Sequence, residues 1–89
     1  MVEKVITITN KLGLHARPSA KVVQTATHFK SEVSLSKGTM TINAKSMLGV
    51  MALAAECGSE LILRVEGEDE KEAAREIIRL FKEQFKDAY

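Results

Sequence analysis

Between residues 69 and 85 the chain sets Ala73, Ala74, Ile77, Ile78, Phe81 and Phe85 on one stripe at helical spacing, with charged residues between them. A helix with a single apolar face has to bury it against a second element with a matching face. The rest of the chain supplies that element in short alternating runs. From Lys4 to Thr9, Ile6 and Ile8 alternate with Thr7 and Thr9, which predicts a first strand with one buried side. Val33 and Leu35 alternate with Glu32, Ser34 and Ser36; the Lys37-Gly38 pair turns the chain, and Met40 and Ile42 alternate with Thr39, Thr41 and Asn43. This pattern predicts a hairpin. Leu61, Leu63 and Val65 alternate with Ile62, Arg64 and Glu66 in a fourth strand that Gly67 ends.

Two more helices fit between the strands. Val22, Val23, Ala26 and Phe29 fall at helical spacing and predict a helix over about 16–27, after the turn residues Asn10-Lys11-Leu12-Gly13. Ser46 stands as an N-cap before Met47-Leu48-Gly49-Val50-Met51-Ala52-Leu53, a short apolar helix that Gly58 is expected to stop. The last helix opens on Asp69 with Glu72 three residues later, a capping-box pattern. No repeat, linker or low-complexity stretch interrupts the order βαββαβα. The expectation is a single α+β domain over residues 1–89, with three helices covering one face of a four-stranded sheet.

A net charge of +1 with only 4% aromatic residues argues against nucleic acid as the main ligand, because backbone-phosphate binders carry a strong basic excess. There is no run of 18 apolar residues, and Met1-Val2-Glu3-Lys4 is neither a signal peptide nor a lipidation motif, so no membrane insertion and a cytoplasmic location are expected. Cys57 is the single cysteine and reads as small packing filler. The two histidines are thirteen residues apart, and there is no HExxH, CxxC, Walker loop or GxSxG, so neither a metal nor a cofactor is expected.

The stretch with chemical potential is Gly13-Leu14-His15-Ala16-Arg17-Pro18-Ser19. Pro18 marks a helix start, where a missing N–H costs nothing. The first amides of a helix carry the positive end of its dipole and favour an anion beside them. His15 therefore sits where a neutral imidazole can act as a nucleophile and where an acquired phosphoryl group is stabilised, with Ala16 and Arg17 as candidate phosphate-binding residues. The bland alternative is an exposed loop histidine beside a helix cap. His28, near the end of the same helix, reads as structural, complementing the negative end of the dipole. Ser46 is a good N-cap on physical grounds alone, and a phosphate there would place about −1.5 to −2 charges beside Met47, Leu48 and Met51. Core packing competes with docking as the reason for those three side chains.

The segments GLHARPS at 13–19 and NAKSMLGVMAL at 43–53 closely resemble the two signature segments of the HPr family, the histidine-containing phosphocarriers of the bacterial phosphoenolpyruvate-dependent phosphotransferase system. The likeness spans the whole chain, including GEDE at 67–70 before the closing helix. It implies an open-faced β-sandwich, an antiparallel sheet in the order 1-4-2-3 with three helices on one side. It implies that His15 takes a phosphoryl group at Nδ1 from phosphorylated Enzyme I and passes it to IIA domains, with Arg17 tuning the phosphohistidine. It implies a docking surface that includes Ala20, Met47, Leu48 and Met51, and a monomer. It also matches Ser46 to the site that an HPr kinase/phosphorylase modifies in many relatives, with a transcriptional regulator as a further partner.

The segment NKLGLHAR, with Met47 and Ala54, resembles regulatory or nitrogen-branch relatives, since sugar-branch members more often carry Ile or Leu and Gly at the latter two positions. His15 sets the chain apart from HPr-like regulators that have lost this histidine. Two functional classes remain in view: a phosphocarrier with no turnover of its own, and a regulatory binding module switched by phosphorylation. A small hydrolase built on His15 lacks a visible base.

Overall fold

A computed structural model describes residues 1–85; residues 86–89, the end of the expected single domain, lie outside the described residues. The elements are β1 (Val2–Thr7), α1 (Ala16–Thr27), β2 (Glu32–Lys37), β3 (Met40–Asn43), α2 (Met47–Ala52), β4 (Glu60–Glu66) and α3 (Glu70–Arg79), with a π-helical turn over Leu80–Gln84 continuing α3. The strands form one antiparallel sheet in the order β1-β4-β2-β3. This is the open-faced α+β arrangement that the resemblance implies.

The two-residue period decides which face is covered. Leu61, Leu63 and Val65 of β4 are fully buried, and Ile6, Val33 and Leu35 lie beside them in register, with Ile6 opposite Leu61, Leu35 opposite Leu63 and Val33 opposite Val65. Val22 and Ala26 of α1, Val50 of α2, and Ala73, Ala74 and Ile77 of α3 pack onto that face. The alternate positions face the other way, where Arg64 donates to Glu3 Oε2 and, at 3.1 Å, to Ser36 Oγ. Each core Leu or Val contributes roughly 1.5–3 kcal/mol of transfer free energy.

Several boundaries differ from the expectation, each for a local reason. β1 spans Val2–Thr7 rather than Lys4–Thr9. The Ile8 amide donates to Ser59 O at 2.9 Å while its carbonyl accepts from Gly58 N at 2.8 Å, an offset that ends the regular ladder. The hairpin turns over Gly38 and Thr39, since Lys37 still pairs with Met40. Met40 is 42% exposed because β3 is the outer strand and only four residues long. α2 stops at Ala52, well short of Gly58. The Leu53 and Ala54 amides turn back to Val50 O at 3.3 Å and Met51 O at 3.1 Å, and Ala54 adopts φ +48. That is the left-handed residue that ends many helices; glycine usually fills it, and an L-residue there costs roughly 1–2 kcal/mol.

At the closing helix, Asp69 occupies the N-cap position but its side chain does not cap. Its carboxylate reaches across the fold to accept from Lys30 N and Ser31 N, both at 2.9 Å, and from the Ser31 hydroxyl at 2.5 Å. Glu70, and not Glu72, reaches back, accepting from Gly67 N at 3.1 Å and pairing with the Met1 ammonium at 2.9 Å. The stripe of α3 also changes pitch. Leu80, absent from the expected stripe although it follows Ala73 by seven residues and Ile77 by three, is buried with Phe81 and Phe85 of the wider π-helical turn, the two rings meeting edge to face at 5.2 Å.

The Ser31 hydroxyl and the Lys30 amide hold the Asp69 carboxyl down at about 2, below its ordinary 3.8. A lowered carboxyl pKa gives stability that is present above the ordinary value and lost as pH falls through the folded one. The melting temperature of the protein is therefore expected to fall between about pH 4 and pH 2. Asp69→Asn should melt lower at neutral pH and lose less over that window. Equal losses in the two proteins would show that the Asp69 contacts carry no pH dependence.

Candidate functional site

The loop before α1 is fixed at several backbone groups, those of Gly13 and Leu14 above all. Asn10, 2% exposed, donates from Nδ2 to Gly13 O at 2.7 Å, and the Gly13 amide returns to Asn10 O at 3.1 Å. The Leu14 amide donates to Ala55 O at 2.8 Å. Gly13 has φ +68, and a Cβ on it would stand 2.3 Å from Ala55 O, so glycine is required there by both backbone conformation and space. The hydroxyl of Ser19, fully buried in the first turn of α1, donates to Leu14 O at 2.9 Å. The Ser19 amide bonds His15 O at 3.0 Å and closes the first helical turn.

His15 is thereby the residue that begins α1, with extended backbone at φ −80 and ψ −171. Pro18 is the third helical residue. Because it has no N–H and Ser19 N is bonded to His15 O, the amides of Ala16 and Arg17 are the ones aimed out of the helix start. The side chain of His15 is half-buried and its Nε2 is closed to solvent. Ala16 and Arg17 are exposed, and Ala20 is half-buried one turn further on.

His28 stands at the other end of α1, about 20 Å away along the helix axis. Its Nδ1 lies 2.7 Å from Gln24 O, so its exposed ring serves a helix-end carbonyl, the structural role expected of it. Among the described residues no His, Cys, Asp and Glu side chains gather as a metal-binding group. No helix there is long and apolar enough to cross a membrane. Cys57 is exposed rather than packed, with Sγ 3.7 Å from Thr9 O, because the turn before β4 carries it outside the core.

Ser46 caps α2 as the sequence predicts, its Oγ accepting from Gly49 N at 3.1 Å and its carbonyl from Val50 N at 3.0 Å. The turn before it is held by Asn43 Oδ1, which accepts from Lys45 N at 2.9 Å, and by Lys45 Nζ, which donates to Phe29 O at 2.8 Å. α2 has two unlike faces. Val50 is fully buried, whereas Leu48 is 86% exposed and Met47 and Met51 are 37% and 41% exposed. α1 and α2 pack together, so the residues after His15 and the apolar outer face of α2 belong to one layer. Depressions of about 580 Å³ over β2–β4 and about 390 Å³ between β1 and α3 exist, and His15 lines neither. Asn10, Ser19 and the Ala55 carbonyl are the supporting groups that sequence reasoning missed. An Asx turn and a serine in a first helical turn were the available signals, but nothing local pointed to a carbonyl forty residues downstream.

Fold and site together define a class: small open-faced α+β proteins that present a histidine at a helix start on their surface. The family model described as "PTS HPr component phosphorylation site" matches residues 2–83. The phosphocarrier protein HPr of Treponema pallidum (strain Nichols) is 51% identical over 87 residues, covering 98% of this chain and 99% of that one. The HPr-like protein Crh of Bacillus subtilis (strain 168) is 42% identical over 84 residues, covering 94% and 99%. A crystal structure of HPr from Thermoanaerobacter tengcongensis superposes with a TM-score of 0.94 over the full length of both chains, at 42% identity. The chain belongs to the HPr family of the phosphotransferase system.

Gly13→Ala is expected to lower stability by about 2 kcal/mol or more, since it combines a left-handed backbone with a backbone clash. Denaturant unfolding measures it; a change below half of that would mean that the loop shifts away from Ala55 without cost.

Proposed function

We propose that this protein is a cytoplasmic, monomeric phosphocarrier with no turnover of its own. His15 accepts a phosphoryl group from phosphorylated Enzyme I and donates it to IIA domains. The observation that carries this reading is the placement of His15 at the start of α1, half-exposed while its Nε2 is closed to solvent. Nδ1 is then the ring nitrogen that attacks: the donor's N–P bond breaks as the Nδ1–P bond forms, and the proton that the imidazole gives up goes to the donor nitrogen that leaves. Phosphoryl transfer asks chiefly for positioning and charge stabilisation, which the Ala16 and Arg17 amides and the Arg17 guanidinium supply. That His15 lines neither of the depressions described above suits a group handed from protein to protein.

Incubation with phosphoenolpyruvate and Enzyme I, followed by intact-mass measurement, tests this reading. One acid-labile phosphoryl group is expected on the wild type and none on His15→Ala, while Arg17→Glu should slow the transfer about fivefold or more. No adduct on the wild type, or one that survives His15→Ala, would remove the carrier reading.

A regulatory role for Ser46 is supported by the exposed Met47, Leu48 and Met51 beside it. With Ala20 they form the docking surface for Enzyme I and IIA domains in this reading. A phosphate placed there by an HPr kinase/phosphorylase keeps its acceptors at a helix start while setting charge against an apolar contact. It weakens docking of Enzyme I and marks the protein for a transcriptional regulator. Ser46→Asp is expected to reduce Enzyme I affinity several-fold with stability changed by less than about 0.5 kcal/mol, because an acid is accepted at an N-cap. Titration calorimetry and thermal melting read the two effects separately; unfolding of the variant would contradict the exposed-cap placement.

A further inference from the structure

Lys37 lies at the end of β2, more than twenty residues from His15 in the sequence, and the sequence assigns it only to a turn. Its half-buried ammonium donates to Leu53 O at 2.9 Å and to Ala54 O at 3.1 Å. Among the described residues it takes part in no ion pair. Its charge is directed at the carbonyls of the C-cap of α2 and of the residue after it, beside the negative end of the helix dipole. Those carbonyls flank the one non-glycine residue with positive φ among the described residues, Ala54 at +48. The next carbonyl, Ala55 O, accepts from Leu14 N at 2.8 Å, and Leu14 immediately precedes His15.

We propose that Lys37 is a positioning residue for His15: by gripping the Leu53 and Ala54 carbonyls it holds Ala54 in the left-handed conformation that aims the Ala55 carbonyl at the Leu14 amide. The inference rests on the reading of His15 as the phosphoryl acceptor. An alanine at this position does not favour the left-handed backbone by itself, so an outside grip is needed; a glycine would need none. Without the grip the 53–55 turn relaxes and the loop carrying His15 loses its bond to the segment that follows α2. Reacting groups then sample more orientations, and misplacement of that kind slows transfer without any loss of a contact to the phosphate.

The test compares the intact wild-type chain with Lys37→Met, Lys37→Arg, Ala54→Gly and the double variant Lys37→Met/Ala54→Gly. Three readouts are taken: phosphorylation of His15 by phosphoenolpyruvate and Enzyme I, hydrogen exchange at the Leu14, Leu35 and Leu63 amides, and the ring-proton NMR shifts of His15. Lys37→Met is expected to slow phosphorylation about fivefold and to speed Leu14 exchange about tenfold, with Leu35 and Leu63 exchange unchanged. Lys37→Arg keeps the cation and should match the wild type. The double variant should return to within about twofold of Ala54→Gly alone, because glycine holds the turn unaided.

The inference is overturned if Leu14 exchange is unchanged in Lys37→Met, if all three amides speed up together, if exchange rises while phosphorylation does not slow, or if Ala54→Gly fails to rescue. A wild type that takes up no phosphoryl group would sink the carrier reading on its own. Leu14 exchange and the His15 shifts would then decide the positioning role, which requires both to change in Lys37→Met and to recover in the double variant.

Discussion

The 2.8 Å bond from the Leu14 amide to the Ala55 carbonyl joins the two segments that hold the candidate residues His15 and Ser46. On one side it fixes the backbone one residue before His15; on the other it fixes the segment that leaves α2, the helix capped by Ser46. Gly13 makes the approach close enough to form, and Ser19 and Asn10 take up the carbonyls that the turn would otherwise bury without donors. A loop with these polar groups committed is a rigid mount for the side chain it carries.

The two histidines show how much position on a helix matters. Both belong to α1, which has 12 residues. At its start, His15 stands beside amides that face outward and lies where negative charge is stabilised. At its end, His28 meets the carbonyl of Gln24 at 2.7 Å, where an anion would be repelled. The same side chain therefore meets outward-facing amides at one terminus and a carbonyl at the other, and the direction of the helix dipole separates the two settings.

Much of the fold was legible because its cues are periodic and local. The alternation in Leu61, Leu63 and Val65 and the spacing of Val22, Ala26 and Ile77 each name a buried face, and α1 falls over 16–27 as its pattern predicts. What stayed hidden is tertiary. Asp69 has the spacing of a local cap, yet three donors from Lys30 and Ser31 outcompete the helix end for its carboxylate. Leu80, seven residues after Ala73 and three after Ile77, lies on the buried stripe at ordinary helical spacing although the expectation left it out, and the π-turn that begins there is not something a fixed 3.6-residue period anticipates. Cys57 looked small enough to pack, but its turn is placed by bonds from Gly58 to Ile8 and from Ile8 to Ser59. For the candidate site, the sequence named His15 and Ser46 but not what holds them, since Leu14 and Ala55 are far apart along the chain.

Ala54 connects these themes. The resemblance marks it as a departure, an alanine where sugar-branch members more often carry glycine, and the structure gives the departure a physical meaning: the position is left-handed, with φ +48. The conformational cost there is met by a neighbour rather than by the residue itself, as Lys37 Nζ bonds the two carbonyls on either side of the turn. A fold that relies on glycine at such a point needs no partner for it. This chain has made the geometry of its loop depend on a lysine from another strand, so the orientation of His15 is tied to the β2–β3 hairpin as well as to α2.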